Sequence, residues 1–510
     1  MTNRDVDHDF LALPLQQCQD AALSRARELG AEHADVRVVR LQNSSINLRD
    51  ARLDGNVTAV DSGLSVRVLV DGCWGFAATG EISATAAARV AERAVTMAKV
   101  SAPLVTQRVV LAPEPVHVGN WVSAYDIDPF DVPEADRIGL LAEYSRTMLA
   151  HDAVAHTDAR VLAVKEQTFY ADLAGTRTVQ QRVRIEAEFT AVAIDGDTGS
   201  FETMTTTAPP VGRGWEYLTG GGQTVGGARA WNWDDELTRL PVLLAEKLHA
   251  PSVEAGRYDL VIDPTNLWLT IHESIGHATE LDRALGYEAN YAGTSFATPD
   301  KLGSLQYGTA LMNVIGDRTV THGLSTVGWD DEGVGAQEWD IVKDGVLVGY
   351  QLDRSMAAEF ELARSNGCAY ADSATHTAIQ RMPNVSLKAN PEGPSLDDLI
   401  GGVDDGIYIV GDKSWSIDMQ RFNFQFTGQQ FHKIKGGKLV GQVKDVAYQA
   451  TTTDFWGSMT VVGGPSTYLL GGAFNCGKGQ PGQVAPVSHG CPAALFENVN
   501  VLNSVKEAGR

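Results

Sequence analysis

The stretch DPTNLWLTIHESIGHATELD, residues 263–282, predicts a buried helix in the second half of the chain. Its Asp263-Pro264 pair is typical of a helix start, because aspartate caps the first turn and proline fits the first helical position. Leu267 and Ile271 are spaced one helical turn apart on an apolar face. A short apolar strand precedes the helix, so we expect a strand–helix unit to begin near residue 255.

Two histidines and a glutamate on this helix form the pattern HExxxH, with His272, Glu273 and His277. Neutral imidazoles bind Zn²⁺ well and a carboxylate can activate water, so the set indicates a zinc site. On a regular helix, residues five apart point about 140° away from each other. The zinc interpretation therefore requires a π-bulge or a break at Ser274–Gly276. The alternative is two ordinary histidines, one that caps a helix and one in a polar pocket.

A catalytic zinc needs a third protein ligand and leaves one position open. Cys476, in the glycine-flanked segment FNCGKGQPGQ, is the best candidate, because glycines let the backbone bring a thiolate close to an ion. Cys491 is the second choice. The other three cysteines are expected to pack as small apolar groups.

Two acidic residues follow the second histidine. Glu280 and Asp282 are candidates for further ligands, or for hydrogen-bond acceptors that orient the histidine Nδ1 atoms. Acidic residues at such positions also commonly form a solvated helix face. The residues alone leave these alternatives open.

Composition excludes several classes of protein. The 510 residues carry 41 Lys+Arg against 64 Asp+Glu, a net charge of −23, so we expect no nucleic-acid binding. No long apolar segment predicts a membrane span, and residues 1–10 lack the basic start and apolar core of a signal peptide. Five scattered cysteines argue against a disulfide framework. We therefore expect a cytoplasmic protein with no membrane partner.

The predicted fold class is α+β, in three units. Residues 1–115 read as a mixed N-terminal α/β domain, in which Val36–Leu41 and Ile46–Leu53 are expected to be separate strands. A Pro-rich linker follows, and residues 125–250 read as a β-rich central domain. Residues 255–510 are predicted to form a β-rich C-terminal domain that carries the HExxxH helix.

Five segments together resemble the TldD/PmbA family of zinc metalloproteases, and its zinc-bearing TldD-type subunit in particular. The similarity covers nearly the whole chain, and its segments are HESIGHATELDRA (272–284), CGKGQPGQVAPVSHG (476–490), LSVRVLVDGCWGFAAT (64–79), GWDDEGVGAQEWDIVKDGVLVGYQLDR (328–354) and RMPNVSLKANPEG (381–393). The resemblance implies zinc ligands at His272, His277 and Cys476, and a C-terminal metalloprotease domain at 255–510. At Cys491 this sequence departs from the family, where a small hydroxyl residue is expected.

The resemblance also implies an activity and a partner. It implies a cytosolic peptidase that hydrolyses unfolded or extended peptides, and a heterodimer with a PmbA/TldE-type subunit; a homodimer is the alternative. We expect zinc-bound water, activated by Glu273, to attack the peptide carbonyl. His489 is either an oxyanion stabiliser or an ordinary loop histidine. Two other functions stay open: a non-catalytic peptide-binding or chaperone-like subunit with a structural metal, and a zinc amidase acting on a small substrate.

Overall fold

The computed structural model describes residues 5–222, 224–225 and 227–507. The fold is α+β, as predicted, and its two largest sheets have seven strands each. One sheet belongs to the first half of the chain and the other to the second half. Among the described residues, no helix is both long and apolar enough to cross a bilayer.

The first half forms a single seven-stranded sheet with helices packed on it. Its helices are α1 (His8–Leu11), α2 (Leu15–Glu28), α3 (Ala84–Ser101), α4 (Glu134–Leu149) and α5 (Trp233–His249). Its strands are β1 (His33–Arg49), β2 (Arg52–Val70), β3 (Cys73–Thr79), β4 (Val118–Val122), β5 (Val154–Asp172), β6 (Arg177–Ile194) and β7 (Phe201–Thr205). The strand order is β3-β2-β1-β5-β6-β4, and β7 pairs with β6.

This sheet runs through the boundary that the sequence places between the first two units. β1 pairs antiparallel with β5 from Asp35↔Asp172 to Arg49↔Asp158. The Pro-rich segment expected to be a linker, residues 103–133, contains β4, which pairs with β6, so no boundary between sheets falls there. The prediction of two separate strands at 36–53 was wrong, because the polar residues in between stay extended between β2 and β5.

Helix α3 shows how the local sequence builds this half. Ser83 caps it by accepting a hydrogen bond from Ala86 N (3.2 Å), and its small apolar stripe is buried. Gly75 on β3 allows the close approach, since a Cβ there would lie 2.0 Å from Ala94 O. The helix therefore packs directly against the sheet.

The second half contains fifteen strands among the described residues. They are β8 (Gly256–Ile262), β9 (Val314–Asp317), β10 (Glu338–Lys343), β11 (Val346–Leu347), β12 (Ala369–Tyr370), β13 (Ile379–Gln380), β14 (Asn384–Leu387), β15 (Asp405–Ile417), β16 (Asn423–Lys435), β17 (Lys438–Gln442), β18 (Val446–Thr451), β19 (Met459–Val462), β20 (Leu469–Lys478), β21 (Gln483–Cys491) and β22 (Ala494–Asn503). The helices are α6 (Pro264–Ile271), α7 (Leu281–Ala284), α8 (Arg354–Glu359), α9 (Leu396–Gly401), α10 (Thr452–Gly457) and α11 (Ser504–Glu507).

The large sheet of this half closes on itself. The order β15-β8-β22-β18-β16 is completed by a β15–β16 pairing, and β17 and β19 attach outside the ring. Buried aromatic side chains, among them Phe424, Tyr448, Phe455 and Phe496, belong to its core. Helix α6 leaves the end of β8 and packs against β15 and the separate β20–β21 hairpin. These contacts bring the HExxxH segment next to the hairpin that carries Cys476.

Candidate metal centre

The helix that carries the two histidines is irregular where the sequence requires it to be. α6 ends at Ile271, His272–Gly276 form one π-helical turn, and His277–Thr279 continue as a 3₁₀ turn. A π turn widens the helix, so residues five apart come to the same side. The rings of His272 and His277 have centroids 4.6 Å apart. The predicted distortion is confirmed.

Side chains from elsewhere satisfy the backbone of the widened turn. The Tyr307 hydroxyl donates to Ser274 O (2.5 Å), and the Gln351 amide donates to Gly276 O (2.6 Å). Gly276 is also required for packing, because a Cβ there would lie 2.6 Å from the sulfur of Met382. The distortion is thus fixed by its surroundings and does not depend on helix propensity.

His272, His277 and Cys476 come together in one buried cluster. One donor atom from each lies within 4.8 Å of the others, and the three residues are 3–5% exposed. Cys476 Sγ is 3.5 Å from His277 Nε2. Zinc bond lengths of about 2.3 Å to sulfur and about 2.0 Å to nitrogen predict about 3.6 Å between these atoms in a tetrahedral site. The donor set therefore fits a zinc ion.

The protonation states also suit a metal. Burial lowers the pKa of His277 to about 3 and that of His272 well below its usual value, so both rings are neutral. Burial raises the pKa of the Cys476 thiol to about 12. A coordinated cation would deprotonate that thiol and compensate its buried charge.

Glu280 fixes the orientation of His277. Its Oε2 accepts a hydrogen bond from His277 Nδ1 (2.8 Å), which leaves the lone pair of the ring on Nε2, the atom that faces Cys476. Burial would raise the pKa of Glu280, but the charge of Lys478, together with His277 and Arg283, holds it well below its usual value. Glu280 is fully buried and stays ionised behind the ring.

His272 is oriented by a different chain of hydrogen bonds. His489 Nδ1 lies 2.8 Å from the carbonyl oxygen of Val385, so this nitrogen must carry the proton. Burial lowers the pKa of His489 to about 4, so the ring is neutral and its Nε2 accepts from His272 Nδ1 (2.7 Å). His272 therefore also has its free lone pair on Nε2.

Glu273 lies between the two histidines in sequence and forms its own ion pair. Arg421 Nη1 donates to Glu273 Oε2 at 2.6 Å, and the carboxylate is 5% exposed. Burial raises the pKa of Glu273, against the opposing charge of Arg421. The site thus combines three donor atoms with an adjacent carboxylate.

Two family models match this chain. Residues 255–503 match the PmbA/TldA metallopeptidase C-terminal domain, and residues 34–98 match domain 1 of the same metallopeptidases. The chain belongs to the PmbA/TldD family. All members of the donor cluster lie within the matched C-terminal domain.

Relatives of the family are similar over almost their full length. A protein of Methanothermobacter thermautotrophicus named metalloprotease is 28% identical, over 98% of this chain and 99% of the relative. A zinc metalloprotease TldD homolog of Saccharolobus solfataricus is 22% identical over 94% and 98%. The solved structure of TldE from Thermococcus kodakarensis shares the fold, with a TM-score of 0.68 and 16% identity over 95% of this chain and 99% of that chain. The names of the relatives indicate a metal-dependent peptidase.

The remaining candidate residues lie at different distances from the donor cluster. Cys491 is fully buried elsewhere, with its sulfur 3.7 Å from the carbonyl oxygen of Pro264, and it does not join the cluster. Asp282 pairs with Lys478 (2.7 Å) behind Glu280. His489 lies behind His272 and uses Nε2 as an acceptor, so it has no proton on that atom to donate to an oxyanion.

Sequence reasoning missed Arg421 and the role of Lys478. Arg421 lies 148 residues from Glu273 and is carried by the turn between β15 and β16. Nothing in the composition of that turn indicates a contact with the HExxxH segment. Lys478 lies in the segment FNCGKGQPGQ, but only the fold shows that it is buried against Glu280.

Proposed function

We propose that the protein is a zinc-dependent peptidase that hydrolyses peptide bonds in unfolded or extended peptides. The observation that carries the proposal is the convergence of His272, His277 and Cys476, with both histidine Nδ1 atoms engaged behind the rings. A zinc ion bound there would polarise the peptide carbonyl and acidify a water molecule.

Glu273 acts as the general base in this proposal. Its Oε2 accepts a hydrogen bond from Arg421, which holds the carboxylate in place to take a proton from the attacking water. The water oxygen bonds to the carbonyl carbon, and the carbonyl π electrons move to its oxygen. Glu273 then gives the proton to the amide nitrogen, and the electron pair on the carbonyl oxygen re-forms the C=O bond as the C–N bond breaks. A carboxylic acid and an amine leave, and the acid loses its proton to water.

The number of donors favours a catalytic metal over a structural one. Structural zinc sites have four protein ligands, whereas catalytic sites keep one position open. Within the described ranges, no fourth histidine, cysteine, aspartate or glutamate joins the cluster. This supports hydrolysis over the alternative of a chaperone-like subunit with a structural metal.

An exposed strand edge supports an extended peptide as the substrate. β8 pairs with one edge of β15, and only at Gly406–Ile409. In the described chain, the same edge of β15 has no strand partner at 413–417. Trp415, on this segment, contributes a hydrogen bond to Glu273 and is 54% exposed. A peptide added to this edge would be bound by its backbone next to Glu273, with little demand on its side chains.

We propose a cytoplasmic heterodimer with a PmbA/TldE-type subunit; a homodimer is the second possibility. The fold shared with TldE supports such a pairing. All five cysteines are buried and unpaired, in agreement with a reducing compartment.

Zinc content and cleavage, measured on the same preparations, test the proposal. Wild-type protein should contain one zinc per chain and cleave an unfolded peptide, and a chelator should abolish cleavage. Glu273→Gln should keep the zinc but lower kcat by roughly 10²–10⁴-fold, since only the base is lost. Glu254→Gln, at an exposed position, is the matched control and should cleave like wild type. Undiminished cleavage by Glu273→Gln, or by zinc-free protein, would refute the mechanism.

A further inference from the structure

Arg421 is held in a conformation that its own backbone disfavours. Its φ is +63°, in the left-handed region that favours glycine. The turn is nevertheless fixed: the side chain of Asp418 accepts hydrogen bonds from the backbone of Gln420, Phe422 and Asn423. A strained non-glycine residue that the surroundings hold in place suggests a function for its side chain.

Neighbouring segments also hold the turn from outside. Thr294 N donates to Met419 O (2.7 Å), Phe296 N donates to Gln420 O (2.9 Å), and the Thr452 hydroxyl donates to Arg421 O (2.9 Å). These bonds fix the backbone of the turn, and the ion pair with Glu273 fixes the guanidinium next to the donor cluster. Substrate binding would not have to order it first.

The guanidinium lies next to the proposed base Glu273 and has further N–H groups that Glu273 does not accept. It lies 2.6 Å from Oε2 of Glu273, the residue that follows His272 in the sequence. Its side chain is 14% exposed, and Nη1 is paired with Glu273. The Nε atom is buried and has no hydrogen-bond partner in the described part of the chain. A buried, unused N–H group is costly unless a ligand accepts from it.

We propose that Arg421 is a catalytic residue that donates its free N–H groups to the carbonyl oxygen of the scissile bond as negative charge develops there. The inference rests on the peptidase function proposed above. Arg421 thus holds Glu273 with one N–H and stabilises the product of the attack with the others. Donors that are already oriented toward a developing oxyanion contribute most in a buried site.

Arg421→Gly isolates the guanidinium, because glycine adopts the left-handed backbone freely. We expect kcat to fall by about 10²–10³-fold, as for the loss of one oxyanion donor, with zinc content and KM little changed. Added guanidinium ion should restore part of kcat. Asp344→Gly is the matched control: its φ is also positive (+49°), it lies in the hairpin turn between β10 and β11, and it should leave kcat unchanged.

The affinity for a tetrahedral transition-state analogue distinguishes a direct contact between Arg421 and the oxyanion from an indirect effect of Arg421 through Glu273. In the Glu273→Gln background, Arg421→Gly should weaken binding of a phosphinic peptide by at least about 30-fold. It should change binding of the same sequence with CH₂–NH in place of the scissile amide by less than about threefold. Equal effects on both ligands, or kcat within threefold of wild type, would overturn the role of Arg421. If the wild type binds the phosphinic peptide but cleaves no peptide, the peptidase proposal fails. The binding measurements still test the contact of Arg421 with the tetrahedral oxygen in that case.

Discussion

Replacing His489 tests whether the hydrogen bonds behind His272 prepare it to bind a metal. In His489→Leu, the His272 Nδ1–H loses its acceptor at 2.7 Å, in a buried position. Binding a metal through Nε2 then requires a buried, unpaired N–H, at a cost of about 1–3 kcal/mol. This corresponds to roughly 10–100-fold weaker zinc binding, the usual effect of removing such a partner.

His489→Gln is the matched control for this prediction. A glutamine amide can donate to Val385 O and accept from His272 Nδ1, as the imidazole does. We expect zinc affinity, measured by competition with a chelator, to stay within about threefold of wild type in this variant. Nitrogen NMR of the metal-free protein should show His272 protonated on Nδ1 in the wild type and in His489→Gln. If His489→Leu binds zinc as tightly as His489→Gln, the tautomer argument is wrong.

Three further outcomes follow from the structure. Cys476→Ser should lose zinc while Cys491→Ser keeps it; metal analysis that shows the reverse would contradict the assignment of the thiolate. Burial raises the pKa of the Glu186 carboxyl to about 7 in the folded protein. Between about pH 4.5 and pH 7, the unfolded state loses this proton while the folded state keeps it, so the free energy of unfolding of the wild type falls as the pH rises. Glu186→Gln should therefore stabilise the protein by about 1–2 kcal/mol at pH 8 and little at pH 4, as measured by urea unfolding; equal effects at both pH values would exclude this cause. Gly276→Ala should displace Met382 and weaken zinc binding by about tenfold, whereas unchanged affinity would show that the π turn adapts.

Local signals predicted the start of the helix that carries the candidate site. Asp263 caps α6 by accepting a hydrogen bond from Thr265 N, and Pro264 is its first residue, as the sequence indicates. Spacing alone also predicted the widened turn, because two ligands five residues apart require one. These features depend on neighbours in sequence, which a single sequence displays.

Features that depend on distant pairing were not predictable in the same way. The pairing of β1 with β5 joins residues more than a hundred positions apart, so the linker looked like a boundary between domains. Arg421 reaches Glu273 only because the β15–β16 turn is folded over the end of α6. The position of His489 behind His272, and not in front of it, follows from the pairing of β20 with β21. None of these contacts leaves a periodic pattern in the sequence.

Cys476 follows His277 by 199 residues, and the strands of the closed ring are formed by the chain between and around them. During synthesis, a nascent chain that stops short of the β20–β21 hairpin offers only two imidazoles to an ion. Tight binding of a metal ion would thus require that the second half of the chain has folded and brought Cys476 to the two histidines. Incomplete chains that lack Cys476 would therefore bind the ion only weakly.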